Sequence, residues 1–165
     1  MPVTYEPIAT TTLGSATKNI TFSSIPATYT DLRIVLVSTI QTAADYVEIT
    51  FNGTTTGYSW TRLSGDGAST ASGQINSNTK WVPNLPLGGS TTIPMLITTD
   101  IFSYTGSTFK TGLMETSADL NGSGIVIRGV GLWRNTAAIT SIKLEVQTYN
   151  FNSGTIATLY GIKNA

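Results

Sequence analysis

The chain contains no cysteine and no histidine, and only 11% of its 165 residues carry a charge. Without cysteine there is no disulfide framework and no thiolate metal site. Without histidine the commonest general base and the commonest transition-metal ligand are missing. These absences argue against zinc enzymes, Cys–His hydrolases and Ser–His–Asp hydrolases, and no G-x-S-x-G elbow is present. Nine basic and nine acidic side chains cancel, so no basic field exists to hold nucleic-acid phosphates or anionic lipid. No apolar run reaches the length of a membrane span. The opening MPVTYEPIATTT lacks a positive n-region and an apolar h-region, so no signal peptide is expected and synthesis is expected in a cytoplasm.

What the chain has in excess is hydroxyl and turn chemistry. Thirty residues are threonine and sixteen are serine. Threonine with valine, isoleucine, tyrosine and phenylalanine suits a pleated, half-buried surface. Nowhere do apolar residues recur with helical spacing over two turns. Instead, nine to eleven strand-like runs follow one another near ten-residue spacing, separated by turn residues, as in a sandwich or barrel. The expectation is an all-β, single-domain, antiparallel β-sandwich, jelly-roll-like. An extended N-terminal arm or edge strand over residues 1–15 precedes the sandwich domain at 16–165.

Along the chain, Pro2 and Pro7 each remove a ladder donor, which places the arm at a sheet edge. Residues 31–38 are apolar on both faces, Leu32, Ile34 and Leu36 on one, Val35 and Val37 on the other. Such a strand is central, or its second face meets another subunit. In 45–51, Val47, Ile49 and Phe51 face inward while Tyr46, Glu48 and Thr50 face out, and Asn52-Gly53 turns the chain. Residues 58–63 form the next strand, and SGDGASTASG reads as a long flexible loop. Residues 74–89 are the least regular part, with Trp81 and Leu85 as anchors. A strand at 91–102 is interrupted by Pro94, which predicts an edge position or a bulge. Residues 109–116 set Phe109, Thr111 and Leu113 on one face. The closing third holds three runs, 125–134, 139–149 and 155–163, joined by breaks short enough for hairpins.

Candidate chemistry is sparse. The nine carboxylates are scattered, and Asp45 with Glu48 would point to opposite faces of a strand, a poor glycosidase pair. Gly65-Asp66-Gly67 lacks the regular carboxylate spacing of a calcium loop. GVGLW at 129–133 lacks a P-loop lysine. No catalytic, cofactor-binding or metal-binding residue is assigned. Tyr58, Trp60, Trp81, Trp133 and Tyr149 are the candidates for stacking on a sugar, against the alternative of core or interface aromatics.

FSSIPATYTDLRIVL (22–36), FNG…YSWTRLSGDG (51–67) and GLWRNTAAITSIKLEVQTYNFNSGTIATLYGIKNA (131–165) resemble a family of small tailed-bacteriophage virion structural proteins. A YEPIATTTLGS-like opening (5–15) and a LYGIK-like close (159–163) extend the resemblance over nearly the whole chain, least in 68–108. The resemblance implies a jelly-roll-like sandwich that assembles as a homotrimer. It implies a role as a non-enzymatic capsid decoration or cement protein that bridges capsomers, with the major capsid protein as partner and the virion surface as location. A receptor-binding, glycan-binding module of a tail or head fibre is the alternative, through Tyr58, Trp60 and Trp81. A chain that opens directly with the module suits the decoration role. The expected subunit or capsid interface comprises Pro2, Val3, Tyr5, Ile8, Val35, Val37, Trp81 and Leu85, with no nucleic acid, membrane or cofactor involved.

Overall fold

The structure, a computed structural model, describes residues 5–42, 45–84 and 91–163. Among them are eleven strands and no helix: β1 (Tyr5–Thr12), β2 (Asn19–Phe22), β3 (Asp31–Ser38), β4 (Val47–Phe51), β5 (Tyr58–Gly65), β6 (Thr70–Asn78), β7 (Met95–Phe102), β8 (Lys110–Asp119), β9 (Gly124–Trp133), β10 (Ile142–Val146) and β11 (Ile156–Ile162). All pairings are antiparallel. An eight-stranded sheet runs β1-β11-β3-β7-β8-β9-β5-β6, and a three-stranded sheet runs β2-β10-β4. Trp81 adds a short fourth position to the smaller sheet. Its backbone N–H donates to Ile49 O at 3.0 Å, and Ile49 N–H donates back to Trp81 O at 2.9 Å.

This is the all-β sandwich expected, and its winding is that of a jelly roll. The first strand pairs with the last in one sheet, and the second pairs with the next to last in the other. The four-strand sets β1-β11-β3-β7 and β2-β10-β4-Trp81 are the frame. Two pairs of strands, β5–β6 and β8–β9, are added to it, and both extend the first sheet beyond β7.

The core lies between the sheets. In β3, Leu32, Ile34 and Leu36 are buried while Arg33, Val35 and Val37 alternate outward, as period-two patterning requires. β7 and β9 repeat that alternation with Met95, Ile97 and Ile101, and with Ile125 and Ile127. An aromatic group closes one end. Phe51 meets Trp81 edge-on at 4.8 Å between ring centroids, and Tyr58 stacks on Trp133 at 6.0 Å. Trp81 fits only because β8 and β9 present Gly112 and Gly131 beneath it, where a Cβ would stand 2.8 and 2.5 Å from the indole.

Several expectations change. The closing third makes no hairpins: β9 and β11 lie in the large sheet and β10 in the small one, so each break crosses between sheets. The loop expected at 64–73 is mostly strand. β5 runs to Gly65 and β6 starts at Thr70, with the Asp66 carboxylate accepting the Ala68 and Ser69 N–H groups in the turn between. Pro94 neither bulges β7 nor sends it to an edge, because it precedes the strand and leaves every ladder donor in place. All five residues of β4 are buried, not three. Glu48 on its second face is covered by the Lys80 ion pair. Asn52 and Gly53 do take positive φ, 52° and 68°, as the turn between β4 and β5 demands.

Candidate functional site

The eight-stranded sheet has one face in the core and one in the open. On the open face the register sets Ile156, Val37, Leu96, Ser117 and Val126 side by side across five strands. Val126 is 58% exposed and Leu63, on the next strand, 66%. The row ends in a shallow trough of about 500 Å³ between Leu63, Val126 and the β5–β6 hairpin. Parallel to it runs a second apolar segment, Leu113 beside Val130. Charged residues share this face. Arg33, in the same row as Leu113, holds Asp100 with two hydrogen bonds, of 2.5 and 2.7 Å, and between the two rows Glu115 stands across from Arg128 without an ion pair between them. Asp100, and a weaker desolvation that opposes it, set the Arg33 guanidinium above its ordinary value. Isolated surface valines need no explanation, whereas an apolar row across one sheet face, broken only by Ser117, is more than scattered exposure.

Of the residues expected at an interface, Val35 and Val37 stand on this open face. Tyr5 and Ile8 lie on the neighbouring edge strand β1, Tyr5 with its ring edge-on to Tyr160 and under the Arg33 guanidinium. Pro2, Val3 and Leu85 lie outside the described residues. Trp81 belongs elsewhere. Its side chain is fully buried in the core, so it offers nothing to a partner subunit. The open-face residues that sequence reasoning missed are Leu63, Leu96, Val126 and Val130. Their signal was apolarity at alternate positions in strands whose other face is also apolar, the pattern that singled out Val35 and Val37.

Three of the aromatic candidates for a sugar separate. Tyr58 is fully buried and its hydroxyl accepts the Phe51 N–H at 2.8 Å; like Trp81, it has no face open to a ligand. Burial is the main reason its hydroxyl sits above the ordinary value of 10.0. Trp60 is different. It lines a cavity of about 320 Å³ on the core side of β5, together with Tyr46, Glu48, Arg62, Asn78 and Gln147. The Arg62 guanidinium lies 4.3 Å above the indole, a cation–π contact that fixes its plane. Burial pushes Arg62 below its ordinary value. No carboxylate among the described residues is within ion-pair distance of it. Glu48 is paired with Lys80 and accepts from Gln147 Nε2 at 3.4 Å. These residues come from four separate parts of the chain, so no spacing in the sequence announces them.

The β1 edge is tied down at one end. Glu6 accepts the Tyr29 hydroxyl at 2.9 Å and the Lys163 ammonium at 3.2 Å. The Tyr29 bond, then the Lys163 bond, hold the Glu6 carboxyl below its ordinary 4.5, while Glu6 raises the Tyr29 hydroxyl. The sign follows. A depressed folded-state value stabilises above the unfolded value of about 4.5, and the contribution is lost as pH falls through the lower folded value. Amide protection factors along β1 are therefore expected to drop between pH 6 and pH 3, and Glu6→Gln should flatten that drop. Hydrogen exchange checks it; equal pH dependence in both proteins would remove Glu6 from the account.

Among the described residues no group of three or more acidic, histidine or cysteine side chains is placed to hold a metal ion, and no helix is long and apolar enough to cross a membrane. The fold and the open face together define a jelly-roll sandwich, extended on one side, with a broad apolar contact surface. No protein-family model matches the chain, and no curated protein or solved structure matches it either.

Proposed function

We propose that the chain is a non-enzymatic structural protein of a tailed-bacteriophage virion, a capsid decoration or cement protein. It assembles as a homotrimer and bridges capsomers of the major capsid protein on the outside of the head. The observation that carries the reading is the open face of the large sheet, where Ile156, Val37, Leu96 and Val126 form an exposed apolar row interrupted only by Ser117. On this face Arg33 is already paired with Asp100. Glu115 and Arg128 stand opposite each other in register without an ion pair between them, and a second copy must pair them with each other or with its own charges, since a lone charge in an oligomer interface is costly. The sequence resemblance to small virion proteins supplies the biological setting.

The mechanism is burial. At roughly 25 cal/mol per Å² an interface of about 1,500 Å² supplies tens of kcal/mol gross, most of it spent on association entropy and side-chain ordering. Repetition over a symmetric shell multiplies a modest affinity at each site, and the added contacts offset the outward pressure of packaged DNA. The β1 edge adjoins this face through β11, and Tyr5, beside Arg33, extends the same contact area, while Ile8 packs against the core.

The test is a charge placed in the row. Val37→Asp combined with Leu96→Asp is expected to convert a trimer to a monomer in sedimentation analysis and to abolish co-sedimentation with expanded capsids. Far-UV circular dichroism and melting should change little, because both positions already face solvent in the isolated chain. A wild-type chain that is monomeric and ignores capsids would overturn the reading.

A further inference from the structure

We propose that the cavity over Trp60 binds a carboxylate-bearing sugar unit, a hexuronate or sialate residue of a glycan. The cavity lies on the opposite face of β5 from Leu63, so the proposal is independent of the assembly reading above. It shares one residue, Trp60, with the sugar-stacking set read from the sequence.

Size and chemistry agree on the ligand. A volume of about 320 Å³ stands at the small end of ligand pockets and suits one sugar ring rather than an extended chain. The recognising group is Arg62. Among the described residues its one hydrogen bond runs from Nη1 to Asn84 O at 3.4 Å, and the rest of the guanidinium fork makes none there. A half-buried guanidinium centred 4.3 Å over an indole is restrained, and its fork suits a planar, bidentate acceptor, which a carboxylate is. The walls supply the remainder of a sugar site. Tyr46, Ile75 and Val82 give apolar contact for the ring, and Asn78 and Gln147 place side-chain amides where hydroxyls need donors and acceptors.

Charge chooses between a carboxylate and a phosphate. The nearest second cation, Lys80, is committed to Glu48, so the cavity has a net charge near one from Arg62 alone. Glu48 stands in the same wall and would repel a dianion. A monoanion fits; a phosphate, which asks for two or more cationic or backbone donors, does not. A neutral sugar offers Arg62 only hydroxyl acceptors, in place of the charge-assisted, bidentate bonds of a carboxylate, which are roughly twice as strong.

The experiment is a heteronuclear NMR titration of the whole chain with methyl glucuronoside, N-acetylneuraminate, methyl glucoside and inorganic phosphate. Saturable shifts confined to Tyr46, Trp60, Arg62, Asn78 and Gln147 are expected with at least one acidic sugar. The glucoside should bind ~10-fold or more weakly, and phosphate should not compete. Arg62→Gln should abolish the preference for the acidic sugar. If that variant melts early, Gln147→Ala at the exposed rim is the second probe, weakening the acidic sugar severalfold with the melting curve intact. Equal affinity for glucuronoside and glucoside, competition by phosphate, shifts elsewhere on the chain, or no binding by either acidic sugar would each overturn the proposal.

Discussion

Gly131→Ala is expected to destabilise the fold by about 3 kcal/mol, at the upper end of ordinary overpacking, and to lower Tm by roughly 6–12 °C. Gly131 has no positive φ, so backbone geometry permits alanine. On chain entropy alone the substitution would stabilise by about 0.4–1 kcal/mol. What forbids the methyl is the indole of Trp81, whose Cε2, Cδ2 and Nε1 would lie 2.5 to 2.8 Å from the new Cβ. The ring has no room to retreat, since Phe51 packs edge-on against it at 4.8 Å and Gly112 forms the rest of its floor. A double-mutant cycle isolates the contact. Trp81→Ala alone should cost about 3–5 kcal/mol, and in that background Gly131→Ala should cost almost nothing. A cost that persists without the indole would show that the glycine serves something other than Trp81.

The same pair shows how much of this molecule was legible in its sequence. Strand positions with a buried face and a solvent face were readable, and 31–38 matches β3 residue for residue. Its second apolar face, Val35 and Val37, fitted either a central strand or a face that meets another subunit; β3 is central, between β11 and β7, and both valines stand on the open face. β6 was invisible for the opposite reason. TASGQINSN is polar apart from Ala71, Gly73 and Ile75 because it is an edge strand exposed over nearly its whole length, and period-two patterning needs a core to face. In β8 the pattern is ambiguous. The core side carries Lys110, Gly112 and Thr116 beside Met114 and Ala118, while Phe109 and Leu113 look out, so hydrophobicity alone does not decide which face is buried. The hairpins expected in the closing third failed on topology. Short breaks are compatible with a turn within one sheet or a step to the other, and only the long-range pairing of β10 with β2 and β4 decides. The pocket over Trp60 was the least legible. Its residues meet only after β5 and β6 have extended the sheet past the frame.

Lys110 carries the second large effect. It sits on the core side of β8, fully buried, with no carboxylate partner among the described residues. Its ammonium instead donates to three carbonyls, Gly106 O at 2.6 Å, Thr108 O at 2.6 Å and Thr136 O at 3.3 Å. It thereby acts as an internal cation, fastening the turn before β8 to the segment after β9. Two terms compete when it is replaced. Desolvation disfavours the buried charge and pushes the ammonium below its ordinary 10.5, so a neutral side chain removes a penalty. Against that, three inward-facing carbonyls lose a charged donor, each loss worth about 1–3 kcal/mol if no water replaces it. Lys110→Met keeps the aliphatic stem and its packing, so it isolates the polar term. The carbonyls should win, with a net loss of about 3 kcal/mol and raised hydrogen exchange at the Ile139 N–H, which the same turn holds through Tyr104 O at 2.9 Å. Lys110→Arg should not rescue it. The planar fork cannot occupy the point at which three carbonyls converge, whereas an ammonium meets all three. Chemical denaturation of the two variants checks this directly: a Met variant as stable as the parent would mean that the carbonyls find other donors, and that Lys110 is tolerated in the core rather than required there.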